Sequence, residues 1–444
     1  VKVLIINLDS VGEGMGLGVR AAKAGHQVKI WMSKENHKET GLGFKHIERV
    51  ENWLAEAKWA DLIVPTGNHE FMPKLDSLKK MGFPIFGPSV RSAALEVKRA
   101  LGMAFFEKHG IEVPPYEEFA TLEAARAHVM KTGERYVFKT LGDEDDKSLS
   151  YVAKSAADMV ARLDRWQRLK MNPKGAVMLQ TFVPGVEMGV SRWMGKDGFV
   201  GPYNENFEFK KLLSGDAGPN CGEAGTVLKY VATSKLGTEV LAPLEEALVE
   251  LGHLGDIDVN CIVNEQGQAL PLEFTMRLGW PAANIMWGCH KDDPVEWMLD
   301  ACHGIDSLEV RNKVACGVVI AQPDYPYSKA TKAELDGIPI YGVTPKNEGY
   351  LSPQAVKIET LPQMEGENKV TEKPMWCTTG DYICVVSGQG STVRRATERA
   401  YGTLKELHIP NMIYRDDIGE KLKEELPKLQ AHGYATEFKY GEDA

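Results

Sequence analysis

Apolar positions along the first 90 residues fall into short blocks separated by amphipathic stretches. "VKVLIIN", "QVKIWM", "ADLIVPT" and "FPIFG" read as strands, and "GLGVRAAKAGH", "ENWLAEAKW" and "FMPKLDSLKKMG" as helices. Strands that alternate with helices imply a parallel sheet with right-handed crossovers. Functional groups are then expected at the carboxyl ends of the strands, near residues 7–18 and 66–70.

From residue 93 the pattern changes. Ala94, Leu95, Leu101, Phe105 and Phe106 approach helical spacing until Pro114-Pro115 stops the run. Residues 120–190 read as a small α+β unit: the helix "LEAARAHVMKTG", a hairpin around "YVFKTLGDEDDKSLSYVAK", the helix "SAADMVARLDRWQRL" and the strand "AVMLQTFV". Strands "GVSRWM", "GFVGPY", "DIDVNCIVN" and "QALPLEFTMRLG" follow up to residue 310, with the helix "EVLAPLEEALVELG" among them. A last unit, 311–425, has strands "KVACGVVIAQPDYP" and "DYICVVSGQG" and the helix "VRRATERAYGTLKELH". Residues 426–444 read as a charged tail, helical and then frayed. The expected organisation is therefore an α/β and α+β chain with units at 1–92, 93–310 and 311–425, the small lobe lying at about 120–190.

Composition narrows the function classes. The 444 residues carry a net charge of −10, which argues against nucleic-acid binding and against attraction to anionic membranes. No apolar run approaches the roughly 20 residues that span a bilayer. The seven cysteines form no C-x-x-C pair and read as buried free thiols of a reducing cytoplasm. In "GEGMGLGVRA" only Gly16-x-Gly18-x-x-Ala21 fits a relaxed dinucleotide pattern, and a turn that packs a helix on a strand accounts for it better.

Three clusters could carry chemistry. Lys139 and Lys147 bracket the acidic run Asp143–Asp146, and "MLQTFVPGVEMG" follows. The backbone at Gln180, Thr181, Phe182 and Val183 could pair with adenine and Glu187 with ribose hydroxyls, the lysines taking phosphate charge. A solvated hairpin is the alternative. In "DVNCIVNEQGQALPLEFTMRLGWP", period two puts Asp258 and Asn260 on one face and Glu273, Thr275 and Arg277 likewise on the partner strand. Oxygen ligands so placed suit Mg²⁺ on phosphates, with Arg277 as a clamp; a cross-strand salt bridge between Glu273 and Arg277 or a neighbour is the alternative. The loop "SGDAGPNCGEAG", with Asp216 and Asn220, either turns tightly or approaches a ligand.

In chain order these pieces resemble the phosphoribosylamine–glycine ligases of the ATP-grasp superfamily. "FGPSVRSAALE", "GDAGPNCGEAG", "LPLEFTMRLG", "ATERAYGTL" and "YRDDIG" carry the resemblance, which runs over about residues 1–425. It implies an ATP-grasp fold with an N-terminal parallel-sheet domain and a C-terminal α+β domain. It implies a cytoplasmic enzyme, monomer or homodimer, that uses ATP and Mg²⁺ (or Mn²⁺) to join small molecules, an amino acid and an amine, in purine biosynthesis. The γ-phosphoryl passes to a carboxylate, and an amine displaces phosphate from the acyl-phosphate. By the resemblance Lys139 and Lys147 contact phosphates, residues 180–183 hold adenine, Glu187 the ribose and Glu273 the metal. Thr275 and Asn260 complete the expected metal set, and Arg99, with Lys98 beside it, falls at a phosphate-binding lysine. Arg277 and Lys147 are the expected catalytic cations; Lys210, Lys211, Asp216, Asn220 and Arg277 are the expected substrate contacts.

The departures cluster. "NLDSVGEGMG" replaces the family's phosphoribosyl motif, "TGNHEF" its proline–glutamate run, and "EFKK" (208–211) its Asp-His-Lys-Arg. Thr275 replaces an asparagine, Trp280 and Ala282 an acid pair, and Asp381 an arginine. These are mostly positions expected to hold phosphoribosylamine. Two enzymes are therefore open: the family reaction, or a ligase with another amine acceptor such as a nucleoside, a nucleotide or a nucleic-acid base amine. A non-catalytic nucleotide-binding protein is the third reading.

Overall fold

In a computed structural model, all residues are described except 9–11, 34–37, 142–148, 172, 174, 292, 328–332, 366–368 and 443–444. Lys147 and the acidic run 143–146 therefore lie outside the described residues.

The N-terminal strands form a parallel sheet in the order Ile47–Arg49, Gln27–Met32, Lys2–Asn7, Leu62–Pro65. The central strand is buried on both sides, as its unbroken apolar run requires. Val3 and Ile5 face one cluster, with Met15 and Val28, while Leu4 and Ile6 face another, with Trp53 and Leu75. "FPIFG" contributes only a single bridge, Ile85 to Ile63. Helix Gly14–Lys23 opens with its first N–H donating to Asn7 Oδ1 at 2.8 Å. A Cβ at Gly14 would stand 2.6 Å from the Ile5 side chain, so the glycine there serves helix-on-strand packing.

The expected single helix beyond residue 93 is two, Val90–Val97 and Arg99–Lys108. They are divided at exposed Lys98, whose ψ of 84° is non-helical. The small sheet runs Tyr116–Phe119, Val177–Thr181, Tyr136–Thr140, Tyr151–Val152, all antiparallel. Helices Leu122–Thr132 and Ala156–Arg168 cover it, with Phe138, Trp166 and Leu179 in a core of its own.

The main sheet has eight antiparallel strands in the order Ala269–Thr275, Gly255–Asn264, Gly185–Met194, Phe199–Glu208, Gly225–Val231, Val314–Ala321, Tyr382–Gly390, Leu351–Pro353. It runs without a break across residue 310. Helix Val393–Leu404 packs on its C-terminal strands. The tail does not fray: Leu426, Leu429, Tyr434 and Phe438 are each at most 2% exposed. Leu426 and Leu429, three apart on helix Leu422–Gln430, share one face, and burying them outweighs the solvation of the intervening charges. Phe438 meets Phe207 edge to face at 5.2 Å, and Lys229 Nζ donates to the Glu437 carbonyl at 2.6 Å. No described helix is long and apolar enough to cross a membrane.

Candidate active site

Register creates a polar face on the main sheet. Asn260 lies opposite Glu273 and Gly189, and Gly189 opposite Asn206. Period two then directs Glu187, Asn206, Glu208, Asp258, Asn260 and Glu273 to one side. Gly189 makes room: a Cβ there would stand 2.2 Å from Asn206 Oδ1.

On this face Lys210 gathers the acids. Its ammonium lies 2.5 Å from Glu187, 3.1 Å from Glu208 and 3.6 Å from Glu273. Burial pulls Lys210 down, but the three carboxylates together hold it well above the ordinary lysine range. Burial likewise opposes ionisation of Glu187, yet Lys210 and Asn260 keep it below its ordinary value. The Asn260 amide donates to Glu187 at 2.7 Å and to Glu208 at 2.8 Å. Asp258 accepts from Asn206 at 2.6 Å and is pushed well up, by burial and then by Glu208.

Two cations arrive from elsewhere. Arg99, at the start of its helix, pairs with Glu273 at 2.8 Å. Lys139, from the small sheet, donates across the seam to the Leu272 carbonyl at 3.3 Å. Burial, then Arg99, brings Lys139 down to about 7. Residues 180–183 cross the same seam. Gln180 is buried with its Nε2 unbonded, Thr181 N donates to Pro115 O at 2.8 Å, and Arg135 stacks on the Phe182 ring at 3.3 Å. Val183 is half-buried beside them.

Arg99, Lys139, Glu187, Lys210, Asn260 and Glu273 thus converge, whereas other expected residues lie differently. Arg277 Nε pairs with Glu96 at 3.2 Å and its Nη1 donates to the Leu278 carbonyl at 3.2 Å, while Glu273 pairs with Arg99 at 2.8 Å. Glu96 also accepts from Met276 N and from Asn68, both at 2.7 Å, so it fixes the strand end. Asp216 faces Arg415 at 2.8 Å instead of the cluster. Asn220 is exposed on a short hairpin opposite Lys211, whose carbonyl accepts from Arg415 at 3.1 Å. Thr275 sits opposite Asp258 at the strand end, and Lys98 marks the helix break.

Asn206, Glu208 and Glu96 were not among the expected site residues. The first two extend "GFVGPY" by "NENFE", where Glu205 between Asn204 and Asn206 hides the period-two pattern. Nothing local in the sequence marks Glu96.

A hard cation fits this face. Asn206 Oδ1 and Asn260 Oδ1 are buried oxygens without a hydrogen-bond partner, next to carboxylates. Among the described residues no three acid, histidine or cysteine side chains form a ready cage, and Lys210 lies among the carboxylates. Substrate phosphate oxygens would have to complete the shell.

Replacing Lys210 by Met takes the ammonium from Glu187 and Glu208, while Glu273 keeps Arg99. The expected cost is about 2 kcal/mol, below the range for a fully buried pair because a third of the Lys210 side chain meets solvent. Urea unfolding at pH 8 reads it. The loss should shrink at pH 5, where the released carboxylates take up protons; an equal loss at both pH values would speak against the cluster's electrostatics.

The family model for the phosphoribosylglycinamide synthetase C domain matches residues 315–421. The phosphoribosylamine–glycine ligase of Ralstonia nicotianae is 26% identical over 364 residues, covering 78% of this chain and 81% of its own. That of Neisseria meningitidis serogroup B is 27% identical over 359 residues, with the same coverage. Among solved structures, phosphoribosylamine–glycine ligase from Thermotoga maritima superposes with a TM-score of 0.69 at 22% identity, covering 94% of this chain and 100% of its own. Biotin carboxylase from Campylobacter jejuni gives 0.61 at 14%, covering 98% of each. These two structural likenesses are likenesses of fold.

Proposed function

We propose that this chain, a divergent homologue of the phosphoribosylamine–glycine ligases with the ATP-grasp fold, is an ATP-dependent ligase joining a carboxylate to an amine. The observation that carries this reading is the seam itself. A hinge at 180–183, a buried lysine from the small sheet and an acidic face on the main sheet meet at one place.

The adenine would lie against residues 180–183 and the ribose against Glu187. Lys139 and Arg99 would take the phosphates, with Lys98 at the rim and Arg99 leaving Glu273 as it does so. Glu273 and the Asn260 amide oxygen would hold Mg²⁺ or Mn²⁺, with Thr275 at the edge of the set. When bound, the cation screens phosphate charge and polarises the γ-phosphoryl group. A carboxylate oxygen attacks the γ-phosphorus and the bond to ADP breaks. The amine nitrogen then attacks the acyl carbon, phosphate leaves, and the nitrogen releases a proton. Arg277, held by Glu96, stands fixed beside the strand end, where it can orient the acyl-phosphate. The units 1–92, 93–310 and 311–425 would then supply acceptor, nucleotide and closing surfaces to one reaction.

Glycine and phosphoribosylamine are the substrates the relatives' names give. A changed acceptor is the second reading, favoured by one observation: Arg277 is already paired with Glu96 at 3.2 Å. ADP release with ATP, Mg²⁺ and glycine, with and without phosphoribosylamine, tests both. Turnover dependent on phosphoribosylamine supports the family pair. Acyl-phosphate trapped by hydroxylamine without response to phosphoribosylamine supports the second. Absence of ATP consumption under all these conditions would overturn the ligase reading.

A further inference from the structure

Resting on that ligase reading, we infer that the amine acceptor is a phosphate-free molecule with a planar hydrogen-bonding ring. It would be held in a second polar pocket, between the N-terminal helix and the C-terminal strands. Four chain segments meet there. Trp280 and Tyr382 lie with ring centroids 4.3 Å apart at 60°, and Tyr325 stands 5.6 Å from Tyr382. Helix Ala282–Met286 carries Asn284 to the start of helix Gly14–Lys23. A Cβ at Gly16 would stand 2.2 Å from Asn284 Oδ1, so only glycine admits the amide. Ser352 Oγ donates to the Asn284 carbonyl at 3.4 Å, and Ala355 N to the Tyr382 carbonyl at 3.1 Å, which brings Gln354 alongside.

These side chains carry hydrogen-bonding groups that the fold leaves unused. Both amide atoms of Asn284, the Gln354 Oε1, the Tyr382 hydroxyl and the Trp280 Nε1 are buried without a partner. Asn284, Gln354 and Tyr382 are at most 1% exposed. Native folds satisfy nearly all such groups, so a concentration of them beside an aromatic wall marks a place for a ligand.

The chemistry selects the ligand class. Gln354 Oε1 and Asn284 Oδ1 accept hydrogen bonds, and a phosphate dianion has none to donate. Burial, then Tyr325 and Cys221, pushes the Tyr382 hydroxyl well up, so it stands as a proton donor. A heteroaromatic or carboxamide ring offers donors and acceptors on one edge and a face for Trp280.

The test uses the full chain with ATP, Mg²⁺ and glycine. Hydroxylamine trapping, which needs no acceptor pocket, reports the acyl-phosphate step. Adenosine, cytidine and 4-(aminomethyl)benzamide are compared with phosphoribosylamine and 2-aminoethyl phosphate as acceptors. At least one ring amine should raise ADP release tenfold above either phosphate. Tyr382→Phe and Asn284→Ala should each cut that stimulation about tenfold while trapping is unchanged. Trapping intact with no ring amine active, or with phosphoribosylamine the better acceptor, overturns this inference alone. So do variants that reduce trapping and stimulation equally. Failure of trapping in the parent overturns the ligase reading and this inference with it.

Discussion

Replacing Lys139 by Met should lower kcat/KM for ATP about a hundredfold, on the order of 2.8 kcal/mol, the size of one or two charge-assisted hydrogen bonds. Thermal unfolding should stay cooperative. The reason lies in how the lysine is held: it is 9% exposed and donates to the Leu272 carbonyl at 3.3 Å. Burial, then Arg99, brings it down to about 7. Near neutral pH the unliganded protein therefore holds this lysine partly uncharged, and a polyanion would restore the proton. ATP binding at pH 7.5–8 should take up a proton, read by calorimetry in buffers of differing ionisation heat, and Lys139→Met should abolish that uptake. The same value sets a stability window. A base depressed on folding contributes stability above its unfolded value, lost as pH falls through about 7. The variant should lose that segment of the pH–stability curve. Turnover within threefold of the parent would remove Lys139 from the nucleotide site.

The second large effect is structural. Arg415→Met should cost about 2–3 kcal/mol in urea unfolding, below the range for a fully buried pair because Asp216 is half exposed. The Arg415 side chain is 2% exposed and meets Asp417 at 2.5 Å and Asp216 at 2.8 Å. It also lies over Phe209 at 5.1 Å. Asp216 therefore ties the short hairpin to the "YRDDIG" segment, and the KM for ATP should change less than twofold in the variant that remains folded. A destabilisation under about 1 kcal/mol, or a large rise in KM, would return Asp216 to substrate binding.

How far this was legible depends on the range of the signal. The parallel N-terminal sheet and the Asn260–Glu273 hairpin follow from local periodicity, because side-chain direction along a strand is set by the pleat. Lys139 and Glu187 were identifiable from their positions beside a hinge. The partners were not. Arg99 with Glu273, Glu96 with Arg277 and Arg415 with Asp216 join residues far apart in sequence, and a chain of letters carries no distance between them. Charge density misled at the tail, where a few apolar residues at the right spacing decide burial.

The order of strands in the main sheet has a consequence for biosynthesis. Gly225–Val231 is buried at every residue and pairs on one side with a strand made just before it. Its other neighbour, Val314–Ala321, leaves the ribosome about eighty residues later. Until then a nascent chain offers an open strand edge that the finished fold buries, a template for intermolecular pairing. The strand that carries Glu208 pairs with Gly225–Val231 on the side already made. Chaperone dependence in this protein should peak over that interval of synthesis.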